Sequence, residues 1–258
     1  MRAPVASMMT SHVLACSTSC TLPDIAYLLS RHHLRHLPVV DFKEWSTSRA
    51  APLPPDTHPS SLRGVLSAKD VSWVLYCLIK NEQAARPNPS SPLRVSDMMR
   101  PDLRFEINEG SSALEAAAVL ASSKRHAICA VNEKEEMTGI LTGRDLMNKL
   151  VLSTKAYRAT ATVGDIATPH PRAVTPSTTL EELLTQLTTY GFRHLPVCPD
   201  PEPLVSPPSE ADVAKSWAAA MSALPKPVGL VAVEDVLAAV VRYGGGAFPE
   251  VPLTVSME

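Results

Sequence analysis

Along the chain, Leu22, Ile25, Leu28 and Leu29 recur at spacings of three and four, which predicts a helix with one apolar face. Leu180, Leu183, Leu184 and Leu187 repeat that pattern. A short polar-to-apolar segment leads into each helix, at Val13-Leu14-Ala15 and at Arg172-Ala173-Val174, and a further one covers 104–107. Compact apolar runs follow, Leu37-Pro38-Val39-Val40 in one place and Ile128-Cys129-Ala130-Val131 in another, as expected of short buried strands. A second strand is predicted around Gly64, Gly139 and Gly229. A final helix follows, with Val71, Val74, Leu75 and Leu78, or Val236, Leu237, Val240 and Val241, on its apolar face. The order is β-α-β-β-α, three times over, so the predicted fold class is α/β.

The copies also match residue by residue. Arg35-His36-Leu37-Pro38-Val39 recurs as Arg193-His194-Leu195-Pro196-Val197, and at the same offset Thr21-Leu22 matches Thr179-Leu180. Val5 and Thr10 match Val163 and Thr168. Between these copies, Val95-Ser96-Asp97-Met98-Met99-Arg100 parallels the segment from Val5 to Thr10, and Arg125-His126 are read as standing where Arg35-His36 do. The acid-free, Ser/Thr-rich first 23 residues suggest a transit peptide when taken alone. As a copy of 159–181 they read instead as part of a repeat. The expected division is repeat one at 1–80 with an insertion at 41–62, a linker at 81–93, repeat two at 94–152, repeat three at 153–243 with an insertion at 199–227, and a tail at 244–258. One unit of about 55–60 residues is marginal by itself, so repeats are expected to pack in pairs.

Composition adjusts this picture at three points. Lys+Arg 24 against Asp+Glu 26 leaves a net charge of -2, without the basic excess expected of a nucleic-acid or anionic-membrane binder. The 24 prolines stand against only 10 glycines, and the two insertions with the linker carry 14 of those prolines and no glycine. No apolar run approaches the roughly 18 residues of a membrane span, and a cytoplasmic location is expected from the cysteines. Five cysteines without a CxxC fit separately buried thiols in a reducing compartment. Cys16 and Cys20 lack the second pair a structural zinc would need. His32, His33 and His36 fall where a helix should end and read as a solvated terminus, so no metal is expected. Nor is there a paired-carboxylate, nucleophile-elbow or Walker signature, and no enzyme activity is expected.

The insertions differ from each other. Pro207-Pro208 and Ser209-Glu210-Ala211-Asp212 precede Val213, Trp217, Met221 and Leu224 at helical spacing. That helix either lies on its own repeat or docks a partner with Trp217 as anchor. The first insertion, with Trp45 and the prolines at 52–59, reads as a loop.

The Met-Met-Thr lead-in, Arg-His-Leu-Pro-Val and Gly-x-x-Ser/Thr-x-x-Asp, recurring in fixed order, resemble the cystathionine beta-synthase (CBS) domain, a small module found in tandem pairs called Bateman modules. The resemblance covers 5–79, 95–151 and 163–242. Taken as residues, Gly64-Val65-Leu66-Ser67-Ala68-Lys69-Asp70 and Gly139-Ile140-Leu141-Thr142-Gly143-Arg144-Asp145 read as helix capping boxes. The resemblance implies more, namely that the Asp carboxylate binds both ribose hydroxyls of an adenine nucleotide, the neighbouring hydroxyl assisting. On that reading Asp145, Thr142, Asp70, Ser67 and Asp235 form ribose and adenine sites, with Thr10, Arg100 and Thr168 lining them from the lead-ins. Arg35, His36, Arg125, His126, Arg193 and His194, with Lys69 and Arg144, would hold phosphates. Repeat three departs from the pattern, reading Gly229-Leu230-Val231-Ala232-Val233-Glu234-Asp235, with no hydroxyl and an acid where Lys69 and Arg144 stand.

Copies one and three share the swollen loop and copy two does not, which suggests a duplicated pair lacking its fourth copy. Repeats one and two are then expected to pack as a Bateman module. Repeat three would need a second chain of a homodimer, or a partner protein, to cover it. The resemblance implies a non-catalytic regulatory module, like the gamma subunit of AMP-activated protein kinase. It would bind AMP, ADP, ATP or a related adenosyl ligand as a regulatory ligand, with no catalytic cofactor. The alternative is a structural subunit with decayed clefts that oligomerises through repeat faces.

Overall fold

The computed structural model describes residues 4–7, 9–10, 13–41, 50–52, 62–85, 93–99, 105–122, 126–151, 160–201 and 224–243. In chain order the elements are β1 (Leu14–Ser17), α1 (Leu22–Arg31), β2 (His36–Val40), β3 (Ala50–Pro52), β4 (Leu62–Ser67) and α2 (Ala68–Ala85). They continue with α3 (Val95–Met98), β5 (Glu106–Asn108), α4 (Ala113–Ser122), β6 (Ala127–Val131), β7 (Met137–Thr142) and α5 (Gly143–Leu146), which runs on as a wider turn over Met147–Val151. The last are α6 (Val163–Ile166), β8 (Thr168–Pro169), α7 (Leu180–Thr189), β9 (His194–Val197), β10 (Gly229–Ala232) and α8 (Val233–Tyr243). They form two compact units, Met1–Asn88 with Val233–Glu258, and Pro89–Ala232. The β-α-β-β-α order holds in all three repeats, with β3 added in repeat one and the first strand of repeat three reduced to one parallel bridge, Val174 to Val197.

In the first unit the sheet order is β3-β1-β2-β4, with β1 and β2 parallel and the other pairs antiparallel. Helix α1 starts where Thr21 and Asp24 close a capping box, its backbone N–H donating to Asp24 Oδ2 at 3.0 Å. It stops at the histidine cluster. His33 takes the left-handed conformation at φ 52, and Leu34 N–H reaches back to the Leu29 carbonyl at 2.9 Å, a Schellman ending. Helix α8, the last of repeat three, packs against α1 and α2. Repeat three is therefore not left with an uncovered helix face, as the expectation had it.

The second unit contains the sheet β5-β6-β7-β8 and the hairpin pair β9-β10. Repeats two and three exchange their lead-ins here. Val95 N–H donates to the Thr178 carbonyl at 2.9 Å and Leu180 N–H to Leu93 at 2.7 Å, so the lead-in of repeat two lies on repeat three. Conversely, Val163 and Gly164 donate to the carbonyls of Ser111 and Glu109, each at 2.8 Å. Val95, Met98, Val163 and Ile166 are all buried by this exchange. The intertwined pair within this unit is thus repeats two and three, where repeats one and two were expected. Main-chain hydrogen bonds select the pair, and every copy carries those groups, so residue matching alone does not choose between partners.

Two segments depart from their predicted role. The insertion expected to be a loop supplies β3, pairing Ala50, Ala51 and Pro52 with Cys16, Ala15 and Leu14. An edge position tolerates proline, which has no N–H to give. Helix α2 continues to Ala85, taking the first five residues of the predicted linker, because Asn81-Glu82-Gln83-Ala84-Ala85 precede Pro87 and suit a helix. The predicted helix with Trp217 lies outside the described residues except at Leu224, which exchanges backbone hydrogen bonds with Met137 at 2.8 and 3.1 Å. Among the described residues no helix is long and apolar enough to cross a membrane.

None of the five cysteines forms a disulfide, and Cys16, Cys129 and Cys198 are buried. Burial pushes the Cys198 thiol up to about 11. For Cys16, burial first and the neighbouring Cys20 second do the same, also to about 11. A thiol whose folded value lies above its ordinary 9.0 favours the folded state below pH 9, and that contribution is lost as pH rises through 11. The urea midpoint should therefore fall between pH 8.5 and 10.5 by more in the native chain than in a Cys16→Ala/Cys198→Ala variant, each compared with its own value at pH 8.5.

Candidate ligand site

Strand β7 ends at Thr142 and α5 begins at once, so the hydroxyl of Thr142 and the carboxylate of Asp145 meet at a helix start. Thr142 N–H donates to Asp145 Oδ2 at 2.8 Å, Thr142 Oγ1 donates to the same oxygen at 2.6 Å, and Asp145 N–H donates back to Oγ1 at 3.4 Å. This is a complete capping box, and it occupies only one carboxylate oxygen. The other, Oδ1, accepts from Thr168 Oγ1 at 3.1 Å. Thr168 reaches it because β8, from the lead-in of repeat three, runs antiparallel to β7 with Ile140 opposite Thr168. Three residues singled out in the sequence, from two repeats, thus form one cluster.

The motif glycine makes that approach possible. A Cβ on Gly139 would stand 3.0 Å from Ala167 Cβ and 3.0 Å from the Thr168 carbonyl oxygen, so any side chain there pushes β8 and Thr168 away. Gly229 makes the reciprocal approach to the lead-in of repeat two, where an added Cβ would stand 3.3 Å from Met99 Sδ. A further residue, not foreseen from sequence, holds β8 in place. Lys149 donates through Nζ to the carbonyls of Ile166 and Ala167 at 2.8 and 3.1 Å. Its signal was a lone lysine among Leu146, Met147 and Leu150 on a largely apolar turn.

Repeat one builds the same cap. Ser67 N–H and Ser67 Oγ both donate to Asp70 Oδ2 at 2.7 Å, and Asp70 N–H returns to Oγ at 3.3 Å. Thr10 is exposed, as are Lys69 and Arg144, whereas Asp235 is buried in the first turn of α8. Arg100 and Arg125 lie outside the described residues.

The second constellation is changed by strand register. His36 lies opposite Ser67, and His194 opposite Ala232, but the residue opposite Thr142 is Ala127. His126 therefore occupies the position of Arg35 and Arg193, and Ala127 that of His36 and His194. The match of Arg125-His126 to Arg35-His36 was one residue out of step, which in a strand moves a side chain to the opposite face. The His126 and His194 rings lie 6.5 Å apart at 54°. Arg35 is directed at Glu234, with Nε 3.2 Å from Oε1, and both side chains are largely covered. The acid that replaces Lys69 and Arg144 in repeat three thus neutralises an arginine expected to bind phosphate. His36 and Arg193 are exposed. Among the described residues, no group of three or more His, Cys, Asp or Glu side chains is arranged to hold a metal.

Paired strand-helix modules that trade lead-ins and set a carboxylate against hydroxyls at their junction define a tandem-repeat α/β protein. The chain belongs to the CBS domain family, whose model matches residues 5–44, 95–152 and 163–204, together more than half of its length. In repeats one and three the match ends just inside or beyond the start of the insertions. Protein MJ1225 from Methanocaldococcus jannaschii, proposed to be an archaeal homolog of g-AMPK, superposes with a TM-score of 0.65 at 14% identity, over 91% of this chain and 69% of that one. An uncharacterised conserved protein from Pyrococcus horikoshii gives 0.57 at 17%, over 91% and 82%. At these identities the likeness is one of fold. In sequence, the chain is 29% identical over 112 residues to the Meiotically up-regulated gene 70 protein of Schizosaccharomyces pombe, a match spanning 43% of this chain but 15% of that protein.

Proposed function

We propose that the chain is a non-catalytic regulatory module that binds an adenine nucleotide where repeats two and three meet. The observation that carries this reading is the contact of Thr168 with Asp145 Oδ1. The cap leaves that oxygen available, and a ribose diol would take it over from Thr168, whose hydroxyl then turns to accept or donate to the ligand. His126 and His194 face each other across the same pair of repeats and supply ring nitrogens for phosphate oxygens. Arg144, exposed beside Asp145, adds a positive charge. Occupancy would stabilise one arrangement of repeats two and three over another, the differential affinity a regulatory ligand requires. The proposed kinship of MJ1225 to g-AMPK agrees with this reading.

Calorimetric titration of the whole chain with AMP, ADP, ATP and S-adenosylmethionine tests it. Saturable heat with one of these, at a dissociation constant of about 1–100 μM (roughly -8 to -5 kcal/mol), is expected. Absence of heat with all four overturns the reading. The second reading, an interaction subunit, draws on the Arg35–Glu234 pair, which removes one phosphate ligand from repeat one. It is favoured if no nucleotide changes the melting temperature.

A further inference from the structure

Repeat one carries both halves of the exchange that joins repeats two and three, and among the described residues neither half is engaged. Its lead-in is already shaped for docking. Met9 N–H donates to the Val5 carbonyl at 2.9 Å, as Met99 does to Val95 at 2.8 Å and Ala167 to Val163 at 2.7 Å. Yet Val5 is 73% and Met9 62% exposed, whereas Val95 and Val163, at the equivalent position, are 0% exposed. The receiving strand is open as well. A Cβ on Gly64 would meet nothing within 4 Å, where Gly139 and Gly229 are closely approached by the other repeat's lead-in. Beside it on β4, Val65 is 61% exposed and Leu62 51%, while Leu230 and Met137, their equivalents in strand register, are buried.

A repeat that carries both arm and slot can pair reciprocally with a copy of itself, as repeats two and three pair with each other, which is the condition for a two-fold interface between identical chains. We propose that repeat one pairs with repeat one of a second copy of this chain, each lead-in lying antiparallel on the other's β4. The register follows from Thr168 opposite Ile140, which sets the partner's Thr10 opposite Val65. In that position the partner's Thr10 approaches Asp70 as Thr168 approaches Asp145, so the cluster of repeat one is completed only in the dimer. The interface stands independently of what the cluster binds. The exposed apolar side chains Val5, Met9, Leu62 and Val65 find cover, and the unpaired edge of β4 finds a strand.

Sedimentation velocity on the intact chain tests the interface. A dimer is expected, and Val65→Lys should halve the sedimenting mass while leaving the circular dichroism of the folded chain unchanged, since Val65 is exposed in the single chain. Leu114→Lys, at a still more exposed position on α4, should leave the dimer intact. Antiparallel partners have Cα atoms about 4.5–5.5 Å apart, within disulfide reach. Mixing a Thr10→Cys chain with a differently tagged Val65→Cys chain under mild oxidation should therefore give a cross-linked heterodimer, absent from a mixture of unsubstituted chains. A monomeric native chain overturns the proposal, as does a dimer unaffected by Val65→Lys.

Discussion

Leu237→Ala should destabilise the first unit by about 2–5 kcal/mol, the range for removing a fully buried leucine side chain. Leu237 has no exposed surface and lies on α8, which packs against α1 and α2. The helix belongs to repeat three by sequence and to repeat one by packing. Urea unfolding followed by the circular dichroism of the whole chain reads the loss as a lower midpoint, or as an early separate transition if the two units unfold independently. Leu114→Ala, at an exposed leucine, is the control and should move the midpoint by less than about 0.5 kcal/mol. Equal midpoints for the native chain and Leu237→Ala would mean that α8 does not support repeat one.

Asp145→Ala separates two roles that one side chain performs. Loss of the cap to Thr142 should cost about 0.5–2 kcal/mol of stability. Loss of a charged hydrogen-bond acceptor, worth about 1.5–3 kcal/mol, should weaken nucleotide binding by about 10- to 100-fold. Glu182 supplies the comparison. It closes the same box with Thr179, whose N–H donates to Glu182 Oε2 at 2.9 Å, and those hydrogen bonds hold its carboxyl below the usual range. A carboxyl lowered in this way favours the folded state above its unfolded value near 4.5, and the contribution is lost as pH falls through the lower folded value. Glu182→Ala should thus reduce stability like Asp145→Ala, least so in acid, and leave nucleotide affinity unchanged. Affinity lost equally in both variants would reduce Asp145 to a helix cap.

The comparison of repeats also shows why identical motifs carry different duties. Glycine recurs at 64, 139 and 229, but only at 139 and 229 does a neighbouring lead-in come close enough to require it. Asp70 and Asp145 share the same cap, but among the described residues it is Asp145 that also accepts from a lead-in threonine, Thr168. The third acid, Asp235, is buried. Side-chain type alone therefore does not make a site in this protein; the lead-in of another repeat does.

Local chemistry was legible in the amino-acid sequence. Apolar spacing marked α1, α7 and α8, Thr-x-x-Asp/Glu marked helix starts, and recurrence of Arg-His-Leu-Pro-Val divided the chain into three repeats, because these signals depend on residues within a few positions of one another. The edge strand β3 was not legible, since Ala50-Ala51-Pro52 has no apolar alternation and its pairing is made by main-chain groups. Register escaped in the same way. Arg125-His126 looked equivalent to Arg35-His36, but hydrogen bonding between β6 and β7 put Ala127 at the histidine position. By itself, then, the sequence determined the module and its candidate acids. Only tertiary structure decided that repeats two and three exchange lead-ins, that α8 joins repeat one, and that Arg35 meets Glu234. Those outcomes depend on backbone groups and charges brought together from about 50 to 200 positions away, where residue patterns carry no preference among three similar copies.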